Sequence, residues 1–582
     1  MSSVYSNRQL LSKLGLEIED LDHHSGLLLA RLYPDVSDAA YLVSVVLLLR
    51  QKDGAIAIPM PAGQTSVLDL LAENLPALHS SIKPEDVRTA FPNMLEVSMQ
   101  QLVEAGAIVS VTNPKDSYAN AVIIQDMNRL YLRRFWRYET DVAHMVTSRS
   151  VLLPSLENEP TRSIPSENPQ NQAISAGLNY RFTVITGGPG TGKTHSVLLL
   201  LTAMLHQSPE LRIVLCAPTG KAAARMMESI QGNLDRINPP AAIRTGIPDS
   251  ASTIHRLIRW NPALGKSVYH AENPLPYDVV ILDEASMVDV ALMSRLARAL
   301  RPETRLILLG DKDQLSSVEA GSVFADIASR QAPNVVRLTK SWRFKEDSQI
   351  GKLAQVINEG DAGVSWNLLQ SGGEVSLMES ASARKDDLYS RLGSRIATLH
   401  AALVEEQNHV RALARLQDLQ VLSALRVGPF GSEQINAEMD RRVGKGAVWY
   451  DGRPVIATSN NYDLEVYNGD IGLVRVVDGR LMVAFAGSEP GVVRWIAPAQ
   501  LKSVSSAWAL TVHKSQGSEY DEVIFVLPDR WTPVLSRELV YTVLTRARGR
   551  FSVWGSREIW NKSLASRVER YSGLADRLSV GM

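Results

Sequence analysis

Gly187-Gly188-Pro189-Gly190-Thr191-Gly192-Lys193-Thr194 is the stretch that decides the fold class of this chain. It matches the phosphate-binding loop pattern G-x-x-x-x-G-K-[ST], in which backbone N–H groups and the following helix N-terminus surround a nucleotide phosphate. In that pattern Lys193 reaches the β- and γ-phosphates and the hydroxyl of Thr194 binds Mg²⁺. The flanks agree, because residues 182–186 are typical of a buried strand and residues 196–201 of a helix. All eight residues are therefore expected to contact a nucleoside triphosphate.

The composition limits the remaining possibilities. A chain of 582 residues has room for several domains, and 61 basic against 62 acidic residues leave a net charge of -1. Any surface for a polyanion must therefore be local. The single cysteine, Cys216, excludes a disulfide framework and a cysteine-rich zinc site, and its apolar surroundings predict a core position. With no signal pattern and no apolar run of 18 residues, we expect a soluble, cytoplasmic protein without membrane contact.

The chain divides into three expected regions, a mostly helical N-terminal domain at 1–150 and two α/β domains at 151–360 and 361–582. Residues 155–171 are rich in Pro, Ser, Asn and Glu and are typical of a linker. The segment LYLRRFWR at 130–137 is interpreted as an amphipathic structural segment, and direct DNA contact is the alternative.

Apolar, strand-like runs alternate with helical ones after the linker, which predicts parallel sheets wrapped by helices, with ligands at the carboxyl ends of the strands. The first set of runs lies at 182–186, 212–217, 278–282 and 305–309, and the second at 420–425, 522–527 and 551–554. Residues 448–503 lie between the runs at 420–425 and 522–527. They show short alternating runs and turn signals, which predict a small β-barrel inserted in the second α/β domain.

Two acids follow one of these runs directly. Asp283 is suited to hold Mg²⁺, and Glu284 to orient or deprotonate an attacking water. Gln314 is a candidate sensor of the γ-phosphate or the water, because an amide both donates and accepts hydrogen bonds. Arg343 and Arg546 are candidates for arginines that reach the γ-phosphate, a contact worth roughly 10³ to 10⁵ in rate.

These motifs form an ordered series that resembles superfamily 1 helicases, and within them the RecD subunits of bacterial RecBCD complexes (exonuclease V). The resemblance covers about residues 170 to 575. The series comprises the phosphate-binding loop, APTGKAA at 217–223, DEAS at 283–286, GDKDQL at 310–315, WRF at 342–344, TVHKSQGSE at 511–519 and YTVLTRAR at 541–548.

The resemblance implies two RecA-like motor domains that close on ATP and Mg²⁺ at their interface. It implies an adenine contact by Gln170, with Gln172 as the rival, and nucleotide contacts by Gly517 and Glu519. Residues implied to lie near the DNA backbone, or to couple DNA grip to the nucleotide, are Thr219, Thr511, His513 and Gln516. A hairpin at 259–270 would be either the pin that splits the duplex or a plain surface hairpin.

The resemblance further implies an ATP-driven 5′-to-3′ DNA helicase acting in double-strand break repair by homologous recombination. Its partners would be single-stranded and double-stranded DNA and RecB-like and RecC-like subunits in a heterotrimer, with the N-terminal region docking onto the RecC-like subunit. No nuclease carboxylate cluster is identifiable in the sequence, so nuclease activity would come from a partner. The alternatives are a chiefly regulatory or structural subunit and a stand-alone RecD-like helicase.

Overall fold

A computed structural model describes residues 2–60, 66–79, 81–111, 121–153, 168–316, 321–343, 348–378, 384–461, 463–487, 491–568 and 570–580. Most of the expected linker at 155–171 lies outside these ranges, as does Phe344 of the WRF motif. The α-helices are α1 (Ser2–Lys13), α2 (Asp20–Leu32), α3 (Ser37–Lys52), α4 (Val67–Asn74), α5 (Pro84–Ala90), α6 (Met99–Glu104), α7 (Arg133–Arg149), α8 (Pro169–Asn179), α9 (Lys193–Gln207), α10 (Gly220–Ile237), α11 (Ala241–Arg244), α12 (Ile254–Leu257), α13 (Val290–Ala299), α14 (Val323–Ala328), α15 (Gln349–Glu359), α16 (Ala362–Ser371), α17 (Lys385–Glu405), α18 (His409–Ala414), α19 (Ser432–Val443), α20 (Arg537–Leu544), α21 (Arg557–Ala565) and α22 (Leu574–Val580).

The N-terminal region packs α1 to α6 around an apolar core and adds a small mixed sheet. Its order is β1-β4-β3-β2, with β2 and β3 parallel and the other pairs antiparallel. The strands are β1 (Ala57–Pro59), β2 (Ile108–Ser110), β3 (Ile123–Asp126) and β4 (Arg129–Leu132). The segment at 130–137 is β4 and the start of α7, and its Leu130, Tyr131 and Phe135 are buried. The segment is therefore amphipathic and its apolar side chains are part of the core, as the structural interpretation predicts.

The most apolar N-terminal stretch is a core helix. In α3 the side chains of residues 39–47 are all buried, which accounts for the apolar run in the sequence. Within the described residues no single helix has the length and apolar character needed to cross a membrane, although the bent pair Asp20–Leu32 and Pro34–Lys52 meets that test when its two halves are taken together.

The first motor sheet is parallel throughout and has the order β12-β5-β11-β10-β6-β7. Its strands are β5 (Phe182–Gly187), β6 (Ile213–Ala217), β7 (Ala251–Thr253), β10 (Val279–Leu282), β11 (Arg305–Gly310) and β12 (Val335–Leu338). Every residue of β10 is buried, as expected for a central strand covered by helices on both faces. Cys216 in β6 is buried, so its predicted core position is confirmed. The phosphate-binding loop, Thr219, Asp283 and Asp311 follow the carboxyl ends of these strands.

The second motor sheet is also parallel and has the order β13-β22-β21-β14-β20. Its strands are β13 (Val375–Leu377), β14 (Leu419–Ser423), β20 (Ala509–Thr511), β21 (Tyr520–Val526) and β22 (Ala547–Trp554). The fold is thus α/β, with two RecA-like parallel sheets.

The segment between β14 and β20 contains an antiparallel sheet of order β18-β17-β16-β15-β19. Its strands are β15 (Pro454–Ala457), β16 (Ile471–Val477), β17 (Arg480–Ala486), β18 (Val493–Ile496) and β19 (Val504–Ser506). This sheet extends three residues past the predicted end of the insert at 503, because the short β19 offers no alternating pattern to detect.

Residues 570–580, called here the C-terminal strap, return from the second motor sheet to the N-terminal region. The carbonyl of Tyr571 accepts hydrogen bonds from the backbone of Ile56 and Ala57 at 3.0 and 3.3 Å. Glu139 of α7, with no exposed surface, accepts hydrogen bonds from Ser572, Gly573 and Arg577. A carboxylate buried without partners would cost several kcal/mol, so the strap completes the core around α7.

Candidate nucleotide site

A cavity of about 280 Å³ lies between the two motor sheets. It is lined by most of the residues that the sequence predicts to bind or hydrolyse the nucleotide: Pro189, Gly190, Thr191, Gly192, Lys193, Thr194, Asp283, Glu284, Gln314, Arg343, Gly517, Glu519 and Arg546. Its wall also includes residues that were not predicted, among them Arg225 and Met226 of α10.

The phosphate-binding loop joins β5 to α9, and two of its glycines adopt positive φ angles, 73° at Gly190 and 86° at Gly192. The ammonium of Lys193 donates to the carbonyls of Gly187 and Gly188 at 2.6 and 3.1 Å. Because α9 begins at Lys193, its unpaired N–H groups and its positive dipole end face the loop. This arrangement suits an anion such as a phosphate.

The segment that carries Arg343 lies on this loop. The backbone N–H of Trp342 donates to the carbonyl of Gly190 at 2.7 Å, and a Cβ added to Gly190 would lie 2.2 Å from the Cβ of Arg343. Position 190 thus requires a glycine, because its φ angle is positive and because Arg343 leaves no room for a Cβ. Arg343 follows β12 of the first motor sheet, so Arg546 is the candidate arginine that comes from the second sheet.

The acid pair follows β10. The carboxylate of Asp283 accepts a hydrogen bond from the N–H of Glu284 at 2.8 Å, and Glu284 adopts a left-handed φ of 51°. Such a conformation is unfavourable for a non-glycine residue and is often found at functional sites. Burial and the neighbouring charge of Glu284 raise the pKa of Asp283 to about 6, against the opposing charge of Lys193. Within the described residues no cluster of three or more metal-ligating His, Cys, Asp or Glu side chains is present.

A chain of hydrogen bonds joins the two motor sheets beside the cavity. Tyr541 and Gln314 both donate to a carboxylate oxygen of Asp311, at 3.2 and 3.0 Å. The amide oxygen of Gln314 in turn accepts from Arg546 at 2.8 Å. Burial raises the pKa of Asp311 to about 6. Gln314, the candidate sensor of the γ-phosphate, is therefore linked through Asp311 to Tyr541 in α20 of the second motor.

Glu519 is shared by arginines from both sides of the cavity. One carboxylate oxygen lies 2.7 Å from Arg343 and the other lies 2.7 Å from Arg225 and 3.3 Å from Arg548. Burial alone would raise the pKa of Glu519, but the charges of Arg343 and Arg225 lower it to about 2. Arg225 also donates to the carbonyl of Gly517 at 3.1 Å. Arg225 therefore connects α10 of the first motor to the TVHKSQGSE segment of the second.

Sequence reasoning missed the role of Arg225, although a signal was present. The cavity-lining residues of α10 recur at helical spacing: Ala222, Arg225, Met226, Ser229 and Asn233. A helix that follows the APTGKAA motif and carries an arginine on that face would have suggested a contact with the site.

The two rival glutamines differ in position. Gln170 is half-buried, and its side-chain nitrogen lies 2.6 Å from the place that a Cβ on Gly192 would occupy, whereas Gln172 is exposed. Only Gln170 of the pair thus has its amide against the phosphate-binding loop. The exposed ring of Trp342 lies on the same side of Gly192.

The four candidate DNA-contacting residues lie at or just after the carboxyl ends of β6 and β20. Thr219 caps α10 by accepting from the N–H of Ala222, and Thr511 accepts from the N–H of Lys514. Gln516 instead bonds across to the first motor, donating to the carbonyl of Leu315 at 3.1 Å. Burial and the charge of Arg570 lower the pKa of His513.

A two-stranded hairpin lies where the sequence predicts one. Its strands are β8 (Trp260–Asn261) and β9 (Lys266–Ser267), and its turn is closed by the side chain of Asn261, which accepts from the N–H groups of Ala263 and Leu264. The side chain of Leu264 at the tip is 69% exposed.

Comparison with known proteins places this geometry in a family. Residues 166–380 match a family model described as an AAA domain, and residues 506–553 match a UvrD-like helicase C-terminal domain. The chain is 37% identical over 475 residues to the RecBCD enzyme subunit RecD of Mycolicibacterium smegmatis, covering 77% of this chain and 82% of that one. It is 34% identical to the RecBCD enzyme subunit RecD of Haemophilus influenzae, covering 70% and 72%.

A more distant relative is the ATP-dependent RecD2 DNA helicase of Deinococcus radiodurans, at 32% identity over 84% of this chain and 63% of that one. Among solved structures, Pif1 helicase from Bacteroides in complex with ADP-AlF3 and single-stranded DNA has a TM-score of 0.38 at 18% identity, covering 70% of this chain and 94% of that one. That structural similarity is too low to bear on the function.

Proposed function

The chain belongs to the RecD family of superfamily 1 helicases and is an ATP-dependent DNA helicase, and from this premise we propose that it moves 5′-to-3′ along DNA as the RecD subunit of a RecBCD-type helicase–nuclease. The observation that carries the proposal is the cavity between the two motor sheets. There Lys193 and Glu284 of the first motor face Glu519 and Arg546 of the second.

In the proposed reaction Lys193 binds the β- and γ-phosphates, and Glu284 orients and deprotonates the attacking water. Arg343 and Arg546 stabilise the charge that develops on the transferred phosphoryl group. Gln314 lies between Asp311 and Arg546 and is suited to report the presence of the γ-phosphate to α20. The hydroxyl of Thr194 and the carboxylate of Asp283 would hold Mg²⁺, which neutralises phosphate charge when bound. The buried, charge-crowded environment of Asp283 is consistent with a cation beside it.

At the other end of the nucleotide we assign the adenine contact to Gln170, because its amide lies against Gly192 whereas Gln172 is exposed. Trp342 was not among the expected site residues. Its ring is 63% exposed and lies beside the same glycine, which suits it to stack on the base. Gly517 and Glu519 would complete the nucleotide contacts from the second motor.

We propose three domains: an N-terminal domain at 1–150, a first motor at 151–360 and a second motor at 361–582. The antiparallel sheet within 448–506 would form a small SH3-like β-barrel, and the mostly helical N-terminal domain would dock onto a RecC-like subunit. Single-stranded DNA would run past Thr219, Thr511, His513 and Gln516, and the hairpin at 259–270 would split the duplex. The bond from Gln516 to Leu315 supports coupling of DNA grip to the nucleotide site.

A heterotrimer with RecB-like and RecC-like subunits is supported by the relatives, which are named as subunits of the RecBCD enzyme. In that assembly the chain would act in the cytoplasm on broken double-stranded DNA, and a partner would supply the nuclease.

The direct test is the rate of ATP hydrolysis with and without single-stranded DNA, for the full chain alone and with its partner subunits. Wild type is expected to show DNA-stimulated turnover, and Lys193→Ala to lose it. Unwinding of duplexes with either a 5′ or a 3′ tail then tests direction, and preference for the 3′ tail would overturn the assignment. A wild type without DNA-stimulated turnover in either form would favour a regulatory subunit instead.

A further inference from the structure

Five cationic side chains surround the base of the hairpin. They form a set that we call the hairpin collar: Arg256, Arg259, Lys266, Arg295 and Arg298. Four of the five are exposed, and Arg295 is half-buried.

The collar residues are held near one another by the local fold. The N–H of Arg259 bonds to the carbonyl of Arg256 at 3.1 Å, and Lys266 pairs with Asn261 across the hairpin. The guanidinium of Arg295 lies 3.9 Å from the ring centre of Trp260, so α13 packs beside the hairpin strand. Arg298 is one turn further along the same helix.

None of these five cations forms an ion pair with a carboxylate in the part of the chain that the structure describes. The nearby acids are Asp289, which caps α13 through the N–H of Leu292, the exposed Glu272, and Asp141 of α7, which accepts a hydrogen bond from Ser294 one turn before Arg298. Elsewhere many arginines are paired, as Arg212 is with Asp278 at 2.8 Å. Five cations against these three acids leave a local excess of positive charge in a chain of net charge -1.

The tip of the hairpin has the opposite character. Residues 261–265, NPALG, carry no charge, and Leu264 projects with 69% of its surface exposed. Side chains that wedge between base pairs are apolar, whereas phosphates are bound by Lys and Arg. An apolar tip above a cationic base therefore fits the end of a duplex, with its base pairs at the tip and its phosphates at the base.

One collar residue, Arg298, lies away from the proposed single-strand track, whereas Arg256 follows Thr253, which pairs with Ala217 two residues before Thr219. Thr219 follows the carboxyl end of β6, and α13 begins on that same side, after β10. A helix that connects parallel strands runs back toward their amino ends. Arg298, in the last turn of α13, therefore lies away from the edge of the sheet that carries Thr219.

We propose that the hairpin collar binds the phosphates of the duplex arm of a DNA fork and holds that arm against the apolar tip of the hairpin. The proposal rests on the proposed helicase function and adds a site for double-stranded DNA to it. Binding to the collar is electrostatic, so it weakens as salt is raised.

The test compares two triple variants of the full chain. The collar variant is Arg256→Ala with Lys266→Ala and Arg298→Ala, and the control variant is Arg391→Ala with Arg411→Ala and Arg557→Ala. The control removes the same charge from three exposed arginines of α17, α18 and α21 that have no ion pair among the described residues. Equilibrium binding without nucleotide is measured over a range of salt, for a fork with a 5′ tail and a duplex arm and for the tail alone.

The collar variant is expected to bind the fork about tenfold more weakly than wild type at low salt. A plot of the logarithm of the binding constant against the logarithm of salt concentration is expected to be shallower by about one for each phosphate that the variant no longer binds. Its affinity for the tail alone and its ATPase rate with single-stranded DNA are expected to stay within about twofold. The control variant is expected to match wild type on both DNAs.

Two results would overturn the proposal. An equal loss of affinity for the fork and for the tail would place the collar on the single-strand track, and an unchanged affinity for the fork would show that the collar does not touch DNA. The binding assay contains no ATP, so a failure of the motor function itself appears separately, as a wild type without DNA-stimulated ATP hydrolysis.

Discussion

One guanidinium nitrogen of Arg343 lies 2.7 Å from a carboxylate oxygen of Glu519, and this pair closes the cavity between the two motors. The arginine follows β12 of the first motor sheet and the carboxylate precedes β21 of the second. A bound γ-phosphate would compete with Glu519 for the same guanidinium. Binding of the phosphate would therefore draw Arg343 away from Glu519 of the second motor, and release of the phosphate would restore that pair.

Replacement of Arg343 tests its proposed role. Arg343→Ala is expected to lower the turnover number of DNA-stimulated ATP hydrolysis by about 10³-fold, because an arginine at the γ-phosphate acts in the transition state. The Michaelis constant for ATP is expected to change much less. Steady-state kinetics give both quantities. The control is Arg550→Ala, which removes an exposed arginine of β22 that bridges to Glu522 at 3.4 Å, and a comparable loss of turnover there would contradict the assignment.

The adenine contact can be assigned by base specificity. Gln170→Ala is expected to reduce the preference for ATP over GTP by about fivefold, because one hydrogen bond to the base is worth about 1 kcal/mol. Gln172→Ala, at the exposed position, is expected to leave that preference unchanged. The measurement is the ratio of kcat/KM for the two nucleotides. If the effects of the two substitutions were reversed, Gln172 would be the contact.

Lys221 provides a prediction about pH. Burial and the charge of Arg225 lower the pKa of Lys221 to about 8. The ordinary pKa of a lysine is near 10.5, so between pH 8 and 10.5 Lys221 holds its proton more often in the unfolded chain than in the folded chain. In this range the free energy of unfolding therefore rises with pH. At pH 7 the folded state bears the full cost of the buried charge, at most about 3 kcal/mol.

Lys221→Met is therefore expected to raise the thermal midpoint at pH 7, with a smaller gain at pH 9. Thermal unfolding at the two pH values measures the difference. Lys221→Arg keeps the charge and is expected to show no such gain. A gain for the Met variant that is equal at both pH values would point to packing rather than charge.

Arg577 of the C-terminal strap forms two largely buried ion pairs, with Glu139 and with Asp126. Glu139→Gln is expected to destabilise the protein by about 3 kcal/mol, because Arg577 then keeps only its 2.7 Å pair with Asp126. Limited proteolysis is expected to cut the strap first, and urea unfolding to give the free energy. Glu558→Gln is the control, since the exposed pair of Glu558 with Lys562 is worth at most about 0.5 kcal/mol. A strap equally resistant in Glu139→Gln would mean that apolar contacts alone hold it.

The sequence was most informative where function lies in contiguous residues. The phosphate-binding loop, the acid pair after β10 and the two arginines are short motifs whose flanking strands are long and apolar enough to be recognised. The small N-terminal sheet was missed because its strands have only three or four residues, too few to show a period of two.

Pairings between distant residues were missed for another reason. Nothing within α10 indicates that Arg225 shares Glu519 with Arg343, and nothing near Glu139 indicates a partner 438 residues later. The first contact follows from how the two motors pack and the second from how the strap packs against α7, and local sequence patterns do not identify either partner.

The C-terminal strap also has a consequence for synthesis on the ribosome. Domains usually fold as they emerge, at about 5 to 20 residues per second. The partner of Glu139 is 438 residues downstream, so the core around α7 waits roughly 20 to 90 seconds for Arg577 to be made. During that interval a carboxylate destined for full burial remains unpaired. A nascent chain stalled within the second motor would therefore leave α7 incompletely packed and open to chaperones.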